Sequence, residues 1–345
     1  MSRPGERTLR LMLTPIAGFL VDDSTTEVVV NRPGEVGVER RGQWTWHDLP
    51  ELDYDRLDGI ATLCAAMSQQ DVGPDRPLCA SVLPDGQRVQ ICRPPAVAAG
   101  TISLTIRRPS SFAPSLGALA AAGLFSSTDV AQRRAHPLNA ELAELHRARD
   151  WTRFFPLAVR ARKTIIATGD TGSGKTTVAK ALVQEIALDE RLVTIEDTAE
   201  FIGLPHRNLV SLFYSKGDQG VARTRSEDLI EAALRMRPDR VLMQELRDGA
   251  AFTFIRSIAA GHPGSITTCH AKNAAGAFDA LRLMVKQHDA GKHLADADVR
   301  VLLRQLVDVV VHCEKRRDGS RVISEVFFDP DAKLSSPSLP ALAAE

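Results

Sequence analysis

Residues 169–177 read G-D-T-G-S-G-K-T-T, and no other stretch limits so sharply what this chain can become. Gly169, Gly174, Lys175 and Thr176 fill every fixed position of the pattern G-x-x-x-x-G-K-[ST]. The flanks suit it. Residues 163–168 form a short β-branched apolar run, the signature of a buried strand. Beyond the loop, Val178, Leu182, Val183 and Ile186 recur at helical spacing, so a helix begins near Lys175. Gly172 and Gly174 let the backbone curl until successive N–H groups point into one hollow, where the helix N-terminus adds positive potential. Thr171, Ser173 and Thr177 complete that hollow. Lys175 reaches the β- and γ-phosphates of a nucleotide there, and the Thr176 hydroxyl takes Mg²⁺. The expected ligands are ATP and Mg²⁺.

With 345 residues the chain has length for two domains, each with its own core. Its 43 basic and 43 acidic residues cancel, so no global field draws it to nucleic acid or anionic lipid, and no sequence-specific nucleic-acid binding is expected. No apolar run approaches the roughly 18–20 residues that span a bilayer, and no apolar segment follows the charged start. The five cysteines are scattered, without C-x-x-C spacing, which speaks against a zinc ribbon or disulfide framework and for a reducing compartment. These features together predict a cytoplasmic protein.

The fold class expected is α/β: an α+β domain over residues 1–125, a linker over 126–137, and over 138–345 a domain with a mainly parallel sheet flanked by helices. The tail after about residue 330 is expected to fray. In the first domain a helix broken at Pro15 precedes strands over 27–31, 37–39 and 43–46, a helix over 57–67, and strands over 78–83, 88–93 and 101–107. Trp44 and Trp46 share one strand face and are expected at a core or interface rather than in a ligand cage.

The second domain carries the chemistry. Four strands, over 163–168, 191–195, 240–243 and 265–269, are each expected to lead into a crossover helix and so to build a parallel sheet with one crevice. Polar groups at strand ends face such a crevice. Glu196 ends the second strand, Glu245 follows the third, and His270 tips the fourth. Glu245 suits a Mg²⁺ ligand, directly or through water. Glu196 and Glu245 are the candidates for orienting an attacking water, and His270 for a hydrogen bond to the γ-phosphate. Residues 224–227 carry a capping-box pattern that opens a helix ending before Pro238. Arg107, Arg108, Arg223, Arg225, Arg235 and Arg237 are the arginines to test against the charge that develops on phosphate.

The order of the motifs at residues 169–177, 194–200, 234–247 and 261–271 resembles the Walker A, Asp box, Walker B and His box of the secretion/traffic ATPase superfamily. Residues 13–16, 27–35 and 102–109 are similar to the N-terminal domain of its type IV secretion and conjugation branch. The resemblance implies a RecA-like second domain and a homo-oligomeric, hexameric ring on the cytoplasmic face of the inner membrane. ATP turnover there drives substrate translocation or pilus assembly beside a coupling protein and a second ATPase. It also implies that the nucleotide lies between the two domains of a subunit, with Arg107 and Arg108 turned toward it, and that Lys175, Glu196, Glu245 and His270 carry the chemistry. Gln244 departs from the family's small residue at that place, and its amide either crowds the Mg²⁺ site or adds a hydrogen bond. Two alternatives stand beside this reading: a type II secretion or pilus motor, against which the absent tetracysteine element and the first domain weigh, and a nucleotide-gated scaffold with little hydrolysis.

Overall fold

The computed structural model describes residues 5–109, 114–128, 136–215 and 220–331. Most of the expected linker and the tail beyond 331 lie outside them.

In the first part, Pro15 breaks the opening helix as expected, into α1 (Glu6–Met12), a 3₁₀ turn (Thr14–Ile16) and α2 (Ala17–Val21). There follow β1 (Thr25–Val30), β2 (Glu35–Arg40), β3 (Gln43–Asp48), α3 (Tyr54–Met67), β4 (Leu78–Val82), β5 (Arg88–Cys92) and β6 (Ser103–Arg107). The strands form one antiparallel sheet in the order β3-β2-β1-β6-β5-β4. Helix α3 starts where Asp53 accepts the Arg56 N–H at 2.8 Å, and its Leu57, Ile60 and Ala61 pack with Leu9, Ile16, Ile91 and Leu104. The polar face of β6 is buried too, at Ser103 and at Thr105, which accepts from Arg191 of the second part.

The second part contains α4 (Leu116–Ala121), α5 (Asn139–Ala148), α6 (Trp151–Arg160), β7 (Ile165–Gly169), α7 (Lys175–Gln184), β8 (Leu192–Glu196), β9 (Leu209–Phe213), α8 (Ser226–Arg235), β10 (Arg240–Leu246), α9 (Ala250–Ala259), β11 (Ile266–Cys269), α10 (Ala274–Gln287), α11 (Asp296–Leu306), β12 (Val309–Lys315) and β13 (Arg321–Phe328). Its sheet runs β13-β12-β7-β11-β10-β8-β9, parallel throughout except for the β12–β13 hairpin. The four expected strands are its central ones. One expectation fails: β8 reaches β9 through residues 197–208 without a helix. The cap of α8 lies one residue later than the sequence pattern suggests, since Asp228 accepts the Arg225 N–H at 2.8 Å.

Arg191 ties the two parts together. It is fully buried, and its guanidinium donates to Asn31 (2.9 Å) and Thr105 (3.0 Å) of the first part and to the Met236 carbonyl (2.8 Å) and Asn208 of the second. Trp44 lies between Arg191 and Arg237, 5.9 and 5.5 Å from ring centre to guanidinium, which puts this tryptophan at the interface. Cys92, Ala96 and Val97 enter the apolar core of the second part, and the Ala96 carbonyl accepts the Phe213 N–H at 2.9 Å.

Glu27 sits beneath this interface, 5% exposed. Burial pushes its carboxyl up to about 7, with Arg107 opposing and Glu39 reinforcing the rise. A carboxyl whose folded value is raised binds its proton more tightly folded than unfolded, so it subtracts stability as pH climbs from the ordinary 4.5 toward 7. Glu27→Gln removes that penalty. Thermal melts of the two proteins are expected to coincide near pH 4.5 and to separate by about 1–3 kcal/mol in favour of the variant at pH 8. Identical pH profiles for the two proteins contradict the placement.

Candidate nucleotide-binding site

Strand register sets the site's floor. Cys269 of β11 pairs with Leu246 of β10 and with Thr168 of β7, so Glu245, His270 and Gly169 leave the sheet at one level. Gly169 has φ 143°, and a Cβ there would stand 2.1 Å from the Cys313 carbonyl oxygen on β12, so only glycine fits. Gly174, with φ 96°, caps α7 in the left-handed region and turns the chain into the helix at Lys175. The buried Lys175 ammonium donates to the carbonyls of Gly169 (2.8 Å) and Asp170 (2.9 Å). Burial lowers its pKa, while Glu245 opposes the drop.

A cavity of about 350 Å³ opens over this loop. Thr171, Gly172, Gly174, Lys175, Thr176 and Thr177 line one wall, and Glu245, Arg247, Thr268 and His270 line the other. Glu245 Oε1 lies 3.1 Å from His270 Nε2, and Oε2 accepts from Arg247 at 2.6 Å. Burial pushes this carboxyl up, but Arg247, His270 and Lys175 outweigh it and hold the net value below the ordinary one. Glu245 is therefore a carboxylate at neutral pH. Thr176 and Glu245 offer oxygens to a hard cation across the same hollow in which glycines and amides leave room for phosphate, a donor set that fits Mg²⁺ with a nucleotide.

Other sequence candidates lie elsewhere. Glu196 does not reach the cavity: it is buried, with Oε1 accepting from Thr194 (2.6 Å) and Oε2 from the Glu200 and Phe201 N–H groups (2.7 and 2.9 Å). Its carboxylate folds the loop after β8. Gln244 contributes the added hydrogen bond, accepting the Asp197 N–H at 3.0 Å, rather than crowding the hollow. Ser173 is buried inside the loop and is not among the residues that line the cavity. Arg107 is exposed and 3.8 Å from Glu27, and Arg108 pairs with Asp23. Among the described residues, none of the first domain lines this cavity. Arg107 instead lines a separate cavity of about 750 Å³ with Arg235, Arg237 and His262.

The sequence missed two wall residues. Arg247 lies within the third motif, and its place two residues beyond Glu245 on the same strand end is the signal that finds it. Arg321 lines the cavity too and stands on a hairpin marked by apolar runs on both sides of Asp318-Gly319.

A lysine on the first turn of a helix, a glycine loop beneath it and a carboxylate two strands away define a P-loop nucleotide hydrolase. Comparison narrows the class. Residues 128–337 match the family described as Type II/IV secretion system protein. The chain is 43% identical over 341 residues to a type IV secretion system protein VirB11 of Bartonella henselae, covering 94% of this chain and 95% of that one. It is 42% identical over 328 residues to protein VirB11 of Agrobacterium fabrum, covering 94% of each. It also superposes on the crystal structure of the VirB11 ATPase from the Brucella suis type IV secretion system in complex with sulphate, with TM-score 0.91 and 42% identity, over 96% of this chain and 97% of that one. The chain belongs to the type II/IV secretion system protein family and is an ATPase of it.

Proposed function

We propose that this ATPase is Mg²⁺-dependent and works as a hexameric ring on the cytoplasmic face of the inner membrane, driving translocation or pilus assembly by a type IV secretion system. The observation that carries the reading is the meeting of Lys175, Thr176, Glu245 and His270 in one cavity, on a chain similar to VirB11 proteins over nearly its whole length. A coupling protein and a second ATPase of the secretion machine are its partners. Its two domains are residues 1–125 and 138–345.

Thr176 and Glu245 would hold Mg²⁺, which would supply positive charge against the phosphates. The amides of residues 172–177 hold the phosphate chain, and Lys175 exchanges its two carbonyl partners for phosphate oxygens. Glu245, kept anionic by Arg247 and His270, orients the attacking water. His270 meets the γ-phosphate and registers its departure. Glu196 acts at one remove, by holding residues 200–201. Arg107 and Arg108 do not touch a nucleotide held by their own subunit.

Light scattering of the purified protein with ATP and Mg²⁺ tests the ring. A particle of six 37.5 kDa chains is expected. A monomer both with and without nucleotide contradicts the proposal.

A further inference from the structure

We propose that Arg321 is a nucleotide-binding residue of its own subunit, contacting the phosphate chain on the side nearest the sugar, at the α-phosphate. The inference rests on the nucleotide site described above and adds a residue to it.

The hairpin geometry brings Arg321 there. Cys313 of β12 pairs with Gly169 at the end of β7, and the hairpin continues past that level to Lys315, whose partner on β13 is Arg321. Strands β12 and β13 thus overhang the phosphate loop. Arg321 lines the same cavity as Lys175 and Thr176, and its Nε donates to the Gly172 carbonyl at 3.0 Å. Its Cδ lies 3.1 Å from where a Cβ on Gly174 would stand, so the side chain lies along the loop.

Charge points the same way. Of the cations lining this cavity, Arg247 is paired with Glu245, and Lys175 is held by two carbonyls. Arg321, among the described residues, has no carboxylate partner, and its one hydrogen bond uses Nε, leaving the Nη groups to face a ligand. A guanidinium held by one edge beside an anion hollow is preorganised for phosphate oxygen.

Sheet order selects the phosphate. Glu245 and His270 stand on β10 and at the end of β11, to one side of β7, while β12 and β13 stand on the other. The γ-phosphate and its water belong beside Glu245. Arg321 therefore flanks the opposite end of the chain of phosphates, where ATP and ADP are alike.

Equilibrium titration of the full chain with Mg²⁺ and either ADP or a non-hydrolysable ATP analogue tests this. Arg321→Ala is expected to weaken both by the same factor, roughly tenfold, the size of one charge-assisted bond at a partly exposed site. Arg321→Lys should recover part of the loss, and both variants should melt like the parent without nucleotide. Unchanged affinities overturn the proposal. So does a loss confined to the ATP analogue, which assigns the residue to the γ-phosphate, or a lysine variant as weak as the alanine one, which reduces Arg321 to a loop brace. Lys175→Ala, run alongside, should lose both ligands far more severely. If it binds like the parent, the site itself is misplaced, whatever Arg321 does.

Discussion

Lys175→Ala is expected to release phosphate from ATP roughly a thousandfold more slowly than the parent protein, the scale on which single cations act in phosphoryl transfer. Two losses combine. The ammonium is the positive charge at the head of α7, buried against the loop, and neither other cation of the cavity stands in its place, since Arg247 is engaged with Glu245 and Arg321 is braced on the Gly172 carbonyl. It also ties the Gly169 and Asp170 carbonyls, so the loop loses its internal anchor with the charge. A steady-state phosphate-release assay reads the change. A variant that hydrolyses at the parent rate would remove Lys175 from the reaction.

Glu245→Gln separates binding from chemistry. The amide keeps the shape of the side chain and removes the negative charge that faces Lys175, Arg247 and His270. With one fewer negative charge beside the triphosphate, ATP affinity should hold or rise. Hydrolysis should fall by roughly 10²–10³, as when one group that positions the nucleophile or stabilises charge is lost. Single-turnover assays should then find intact ATP retained on the protein after the parent has converted it. Hydrolysis near the parent rate, or ATP affinity as poor as that of Lys175→Ala, would exclude the role given to Glu245.

Much of this site was legible in the order of residues because its chemistry is local. The phosphate loop spans nine consecutive positions whose glycines are required by backbone geometry and whose lysine and threonine by phosphate and Mg²⁺, and the structure gives Gly169 and Gly174 the left-handed or crowded backbone such positions need. Glu245 and His270 were also visible, because each ends a parallel strand and such ends face a common crevice. The same rule misjudged Glu196. It places an acid at a strand end but cannot tell whether the carboxylate turns toward the crevice or back onto its own loop, and here two N–H groups from residues 200 and 201 claim it. Arg107 and Arg108 stand outside this cavity for a related reason: resemblance carries a residue's identity but not the relative placement of two domains, which in this chain is set by buried contacts around Arg191. Arg321 lay beyond local reading altogether. It meets Gly172 across a separation of 149 positions, through a hairpin whose register against β7 no spacing rule supplies. The missing helix between β8 and β9 is a topological feature of the same kind, since crossover helices are the rule for parallel neighbours.

The most direct test of the account is a crystal structure of this protein with a non-hydrolysable ATP analogue and Mg²⁺, because the phosphate-loop cavity is not alone in being lined with cationic side chains. The triphosphate is expected over the amides of residues 172–177, with Lys175, Glu245 and Arg321 around it. A triphosphate seated instead among Arg107, Arg235 and Arg237, with the phosphate loop unchanged, would contradict the account at its centre.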